Sequence, residues 1–188
     1  MGIINKLILF YNEISKYSFK GMISVGKNVK FYQKLRLTGD GYIYIGANSS
    51  FGYKIGGRYY GGSCEIQTRS KEAVIRIGNN VAANNNLFIM ARKNIVIEDD
   101  VLIGESVTIM DHNAHGVAPL KRRTHTGTSN EIIIKRNVWI GSNVTILPGS
   151  IVGKNSIIAV GSVINGIFPD NVIIAGNPAK IIKELGNV

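Results

Sequence analysis

The 188-residue sequence predicts an all-β fold, a single-stranded parallel β-helix, and three observations carry that expectation. An aliphatic residue followed by glycine recurs along the chain, as Val25-Gly26, Ile45-Gly46, Ile77-Gly78, Ile103-Gly104, Ile140-Gly141, Val152-Gly153 and Val160-Gly161. Aliphatic positions step by six: Val25, Phe31, Leu37, Ile43; Ile77, Ala83, Ile89; Ile97, Ile103, Ile109; and Ile134, Ile140, Ile146, Val152, Ile158, Ile164. Glycine is frequent, at 22 residues against 4 prolines, which suits many regular turns rather than disorder.

A period of six matches neither an α-helix, at about 3.6 residues per turn, nor an antiparallel sandwich, which needs no fixed spacing between turns. It matches a coil in which each hexad is one short strand plus a corner, three hexads closing a triangle. Equivalent positions then return after 18 residues, as Ile134 and Val152 do. Val25 to Ile45 and Ile77 to Ile97 differ by 20, which is one coil with two extra residues at a corner. Inward aliphatic side chains fill the prism, and glycine or asparagine occupies corners that need positive φ or close backbone approach.

The elements follow in order. Residues 1–20 place Ile3, Ile4, Leu7, Ile8, Tyr11 and Ile14 at helical spacing, with Lys6, Asn12 and Lys16 elsewhere, and predict one amphipathic helix. Its apolar run is too short to span a membrane, no small-residue cleavage site follows, and Lys6 argues against N-myristoylation. Packing on the domain or on a neighbouring subunit is expected, and membrane-surface association is not. The coil occupies 21–177, with a projecting loop at 113–131. The tail 178–188 closes the other end as a short C-terminal helix, because a solenoid's terminal strand edges need cover.

Length and a hydrophobic content of 45% fit one domain. Cys64 stands alone, which excludes an intramolecular disulfide and suits a reducing cytoplasm. The charge balance, 22 − 12 = +10, admits phosphorylated ligands, polyanions or acidic membrane surfaces, and serves solubility alone equally well. The lysines and arginines are scattered and accompany no nucleic-acid-binding signature, so no nucleic acid is expected.

The count of six breaks once conspicuously, in VTIMDHNAHGVAPLKRRTHTG (107–127). The register Ile97, Ile103, Ile109 points to 115 as the next slot, yet it resumes only at Ile134. Such a loop costs a solenoid little closure entropy and commonly carries function. It contains His112, His115 and His125, which raises a zinc site as one reading.

The run IIIKRNVWIGSNVTILPGSIVGKNSIIAVGSVINGIFPDNVIIAGNPAKIIKEL (132–185) resembles the C-terminal half of the hexapeptide-repeat acyltransferases. That group includes galactoside, maltose and xenobiotic acetyltransferases and bacterial polysaccharide O-acetyltransferases. The Val-Trp-Ile-Gly at 138–141, the Pro-Gly at 148–149 and NVIIAGNPAKII fall in the family's order, and GNNVAANNNLFI and DHNAHG extend the likeness over 77–120. Residues 1–76 agree only as degenerate hexads.

The resemblance implies a left-handed coil, a homotrimer, and active sites between subunits beneath the projecting loop. It implies acetyl-CoA as acyl donor and a carbohydrate hydroxyl as acceptor, in surface-polysaccharide biosynthesis. N-acetylation of a nucleotide-linked amino sugar and a non-catalytic carbohydrate-binding solenoid remain alternatives. In the family a histidine at the loop root is the general base, which suits imidazole with its ordinary pKa of about 6.5. His115 is read as the histidine at this root and is favoured for its place beside Gly116, and His112 is the rival. No metal is expected, since the histidine spacing differs from that of zinc-binding β-helix relatives.

For the cofactor, the resemblance points to Trp139, Gly141, Ser142, Val160 and Gly161 near the thioester and pantetheine arm. Ser142 also stands where a hydroxyl supports the developing oxyanion. Lys180 and Lys183 stand where relatives carry phosphate-facing arginines, and Asn165-Gly166 replaces a Thr-Lys pair. For the acceptor it points to Asn84 and Asn86, with Asp111 able to orient an imidazole, and Lys121, Arg122 and Arg123 suit an anionic sugar.

Overall fold

The computed structural model describes residues 19–186. The expected helix at 1–20 falls outside the described residues but for its last two positions, where Phe19 forms a single parallel bridge to Gly39. From there the chain winds in triangular coils.

The first coil consists of β1 (Met22–Val25), β2 (Lys30–Phe31) and β3 (Leu35–Gly39). The second is β4 (Tyr42–Ile45), β5 (Ser50–Phe51) and β6 (Cys64–Thr68), and the third is β7 (Val74–Ile77), β8 (Ala82–Ala83) and β9 (Phe88–Ala91). The fourth is β10 (Asn94–Ile97), β11 (Leu102–Ile103) and β12 (Thr108–Met110), and the fifth is β13 (Ile132–Ile134), β14 (Trp139–Ile140) and β15 (Thr145–Ile146). The sixth is β16 (Ile151–Val152), β17 (Ile157–Ile158) and β18 (Val163–Ile164). The last has β19 (Ile167–Phe168) and β20 (Val172–Gly176), and β21 (Ala179–Glu184) folds back on it.

Every third strand pairs in parallel, giving three faces. The first runs β1-β4-β7-β10-β13-β16-β19, the second β2-β5-β8-β11-β14-β17-β20-β21, and the third β3-β6-β9-β12-β15-β18. The residues that step by six in sequence become vertical columns in the core. Ile45, Ile77, Ile97, Ile134, Val152 and Phe168 are successive partners on the first face. Phe51, Ala83, Ile103, Ile140, Ile158 and Ile174 stack on the second, and Ile66, Ile89, Ile109, Ile146 and Ile164 on the third. All of them are buried. The extra two residues of the longer coils lie at the third-to-first corner: Ile77 to Ala83 and Ala83 to Ile89 are six apart, whereas Ile89 to Ile97 is eight.

The first-to-second corner is an asparagine ladder in the left-handed backbone region. Asn48, Asn80, Asp100, Asn137, Asn155 and Asn171 all have φ between 55° and 62°. Their side chains bond coil to coil, as in Asn80 to Asp100 at 3.0 Å and Asn155 to Asn171 at 2.8 Å. Asparagine suits both demands, since it tolerates positive φ and its amide both donates and accepts.

The C-terminal tail corrects an expectation. Residues 179–184 form an antiparallel strand on β20 rather than a short helix, Ala179 opposing Gly176 and Lys183 opposing Ile173. The turn between them holds Pro178, and the strand's Ile181-Ile182 pair favours extended backbone. The hairpin adds β21 to the second face beyond β20, so that β20 is paired on both sides there.

Candidate functional site

The site residues expected from sequence fall into two groups on different corners of the prism. The first lies along the second face and the second-to-third corner. Strand register puts Ser50, Ala82, Leu102, Trp139, Ile157, Ile173 and Lys183 in one column. Their neighbours along the strands, such as Ile140 and Ile158, point inward, so this column faces outward. Trp139 is 55% exposed. Lys180 opposes Ala175 on the same outward side, because directly opposed residues share a face. From Trp139 to Lys183 the column crosses three strand spacings, about 14 Å at roughly 4.8 Å each.

At the adjoining corner Gly161, with φ of 71°, donates its backbone N–H to Ser142 O at 2.9 Å. Ser142 Oγ accepts the Glu105 N–H at 3.1 Å, which leaves the hydroxyl proton to donate. Gly141 is there by necessity, since a Cβ on it would lie 2.7 Å from Val160 N. Val160 is exposed beside it. Asn84 belongs to the same corner two coils before Ser142, and a groove of about 280 Å³ joins Asn84, Tyr53, Leu102 and Trp139.

The second group sits on the arm between β12 and β13, at the third-to-first corner. The arm is an antiparallel excursion rather than an open loop. Asn130 N bonds Asp111 O at 2.8 Å, Asn113 N bonds Thr128 O at 3.1 Å, and Gly116 N bonds His125 O at 2.8 Å. The arm corrects the expectation that His115 stands at its root: residue 112 does, bridged to Ser129, and His115 lies farther out because the antiparallel pairing begins at 111–113. His115 is exposed, and its Nδ1 lies 3.0 Å from the Arg122 carbonyl oxygen. A carbonyl only accepts, so Nδ1 is the donor, and in the neutral imidazole Nε2 is then the acceptor.

Asp111 does not reach His115. It is fully buried, and its carboxylate accepts backbone N–H bonds from Arg92 at 2.7 Å, Lys93 at 2.7 Å and Asn94 at 2.8 Å. Its Oδ1 also lies 3.0 Å from Nδ1 of His112, which is 7% exposed. With all its oxygens engaged, Asp111 fixes the arm root and His112 and is not available to an acceptor. His125 turns to Thr124, and among the described residues no three His, Cys, Asp or Glu side chains converge as metal ligands.

The Asn cluster also divides. Asn84 keeps a side chain on the groove rim, its Oδ1 accepting Asn85 N–H at 2.7 Å. Asn86 has φ of 59° and is committed to Gln33, accepting from Nε2 at 3.3 Å and giving its backbone N–H to Oε1 at 2.7 Å. Sequence reasoning missed Asn85, which is fully buried and holds an insert at 52–63 by three hydrogen bonds. The signal for the insert was in the hexad count, since Ile45 and Phe51 lead not to 57 but to Ile66.

These features define a parallel β-helix with an arm breaking its third-to-first corner. Residues 131–166 match the bacterial transferase hexapeptide model (six repeats). Over that stretch the chain carries the repeat, and the match agrees with the expected resemblance to the acetyltransferases built on it. It is 41% identical over 113 residues to galactoside O-acetyltransferase of Escherichia coli (strain K12), which is 60% of this chain and 55% of that one. It is 38% identical over 123 residues to a protein of the same strain named, provisionally, as the lipopolysaccharide biosynthesis O-acetyl transferase WbbJ, covering 59% of this chain and 61% of that one. The chain thus spans less than two thirds of these relatives' length. The hexapeptide-repeat acetyltransferase of Vibrio cholerae O1 biovar eltor, solved with acetyl-CoA, shares the fold, with a TM-score of 0.56, 23% identity and coverage of 97% of this chain and 85% of the other. Among the described residues no helix is long and apolar enough to cross a membrane.

Proposed function

We propose that this chain is an acetyl-CoA-dependent O-acetyltransferase acting on a carbohydrate hydroxyl, in surface-polysaccharide biosynthesis. Left-handed coils would assemble as a homotrimer with sites between subunits, in the cytoplasm. One observation carries this reading: the outward column with Trp139 and Lys183 and the arm with His115 lie on different corners of the same chain. Each half is incomplete alone, and the arm of one subunit laid over the second-to-third corner of a neighbour joins them. The names of the relatives, a galactoside and a lipopolysaccharide O-acetyltransferase, support the substrate class.

In this reading Lys183 and Lys180 meet the phosphates of acetyl-CoA as point charges, without the fork an arginine would give. Gly141 and Gly161 leave room for the pantetheine arm beside the Val160 backbone, and Trp139 walls the thioester end. Asn84 meets the acceptor's hydroxyls, and Asn86 supports that corner. His115 Nε2 takes the proton of the attacking hydroxyl as its oxygen bonds to the thioester carbonyl carbon. Ser142 donates a hydrogen bond to the oxygen that gains charge. When the carbon–sulfur bond breaks, the imidazolium returns its proton to the departing thiolate, so His115 ends neutral and CoA leaves as the thiol. The buried Asp111–His112 pair supports a second assignment, with His112 as base.

The test is thiol release from acetyl-CoA with a panel of sugars, nucleotide sugars and lipid-linked glycans, with His115→Ala and His112→Ala in parallel. His115→Ala is expected to lower turnover about 10²- to 10⁴-fold. Loss in His112→Ala with His115→Ala intact reverses the assignment, and acetyl-CoA that neither binds nor reacts removes the reading altogether.

A further inference from the structure

We propose that the insert at 52–63 builds a pyranose-stacking subsite for the acceptor, with Tyr53 as the platform and Asn85 as the residue that positions it. The proposal rests on the acetyltransferase reading above and adds how the acceptor is recognised.

The insert leaves the coil after Phe51 and rejoins it at Cys64, at the same corner that carries Asn84 to Asn86 and Ser142. It is held from below rather than left to solvent. Asn85 Oδ1 accepts the Tyr53 N–H at 2.9 Å, and its Nδ2 donates to Tyr53 O at 3.0 Å and Gly57 O at 2.8 Å. Asn85 is fully buried, so its whole amide is committed to the shape of a surface segment. On the far side Gln33 Nε2 donates to Arg58 O at 3.1 Å, and Arg58 Nη1 donates to Ser106 Oγ at 3.0 Å. The glycines let the insert lie flat on the asparagines: a Cβ at Gly56 would stand 2.9 Å from Asn84 Oδ1, and one at Gly62 would overlap Asn86 Oδ1.

This anchoring fixes the backbone of Tyr53 beside the groove that the residue lines. Tyr53 is 51% exposed and lines the groove together with Trp139, Ala82, Leu102 and Asn84, Trp139 and Ala82 lying on the same outward column. An aromatic platform, aliphatic side chains and one amide match a sugar ring, which has an apolar C–H face and a rim of hydroxyls. Since Trp139 lies three strands from Ser50, an acceptor ring over Tyr53 would project its reacting hydroxyl toward the thioester end. Tyr53 therefore sets acceptor affinity, while the donor end stays with Trp139 and Lys183.

The experiment uses methyl galactoside, methyl glucoside and methyl N-acetylglucosaminide as probes on the full chain, read by saturation-transfer NMR and by thiol release from acetyl-CoA. Wild type is expected to bind at least one through its ring protons. Tyr53→Ala is expected to raise the acceptor KM about tenfold while leaving the acetyl-CoA KM unchanged, with Tyr53→Phe close to wild type. Asn85→Ala is expected to give the same split, and because Tyr53 is half exposed its variants serve even where Asn85→Ala fails to fold. Wild-type acceptor KM in Tyr53→Ala, or no probe bound by wild type, overturns the subsite. Probe binding that depends on Tyr53 without any thiol release supports the subsite and counts against acetyl transfer.

Discussion

The carboxylate of Asp111 lies 3.0 Å from Nδ1 of His112 while receiving three backbone N–H bonds from residues 92–94. It thereby ties the base of the arm to the corner of the preceding coil. Asp111→Asn is expected to be strongly destabilising although it is isosteric, because one of its two oxygens becomes an NH₂ that faces N–H donors. A buried donor left without an acceptor costs about 1–3 kcal/mol, so a loss of about 2–4 kcal/mol follows once the charge-assisted bonds are weakened too. Urea unfolding measures it, and a variant as stable as wild type would refute the assigned role.

The lysines on the C-terminal hairpin give a second expectation. Lys180 and Lys183 share the outward side of the second face, opposite Ala175 and Ile173. The double variant Lys180→Ala/Lys183→Ala is expected to raise the acetyl-CoA KM about tenfold at low salt, with the difference shrinking as ionic strength rises. Lys→Arg at both sites should restore binding. An acetyl-CoA KM unchanged in the double alanine variant would place the phosphates elsewhere.

Much of the fold was legible because the inward strand positions of a coil are nearly all aliphatic. Ile134, Ile140 and Ile146 announce three faces by spacing alone, and each proves to be a core rung. The tail was misread because Lys180 to Glu184 carries no hexad, and pairing with β20 rather than local propensity decides its conformation. The site was legible in identity more than in arrangement. The DHNAHG string marks both histidines, but that Asp111 turns to residue 112 and spends its remaining capacity on backbone depends on the corner at 92–94, contributed by the preceding coil. Likewise Asn84, Asn85 and Asn86 look alike in sequence, and only the insert separates a rim residue from an anchor.

The asparagine ladder predicts an ordering of variants at Asn155. Its φ is 59°, and its side chain accepts from Asn137 at 3.0 Å and donates to Asn171 at 2.8 Å. Asn155→Ala loses both bonds and puts a Cβ-bearing residue without compensation in the left-handed region, at a cost of about 1–2 kcal/mol. Asn155→Gly loses the bonds but not the conformation, so it should be the milder of the two. Thermal melting of both variants checks the order, and an alanine variant more stable than the glycine one would contradict it.

Cys64 makes a prediction about alkaline pH. Its thiol is fully buried where the insert rejoins the coil, with Sγ 3.5 Å from Gln33 Oε1, and burial pushes its pKa up to about 11, only partly offset by backbone hydrogen bonds from Leu87 and Asn86. A thiol protonated when folded is unreactive, so iodoacetamide at pH 8 is expected to leave the native protein unlabelled and to label it fully in denaturant. The unfolded chain releases this proton near the ordinary value of 9.0, whereas the folded chain holds it to about 11. Between those values the folded state binds more protons, so the stabilising contribution is complete below pH 9 and is lost as pH rises toward 11, by an amount on the order of 2–3 kcal/mol. Cys64→Ala should flatten that part of the stability–pH curve measured by urea unfolding. Rapid native labelling, or an unchanged slope in the variant, would show that the thiol is open to water in the folded chain.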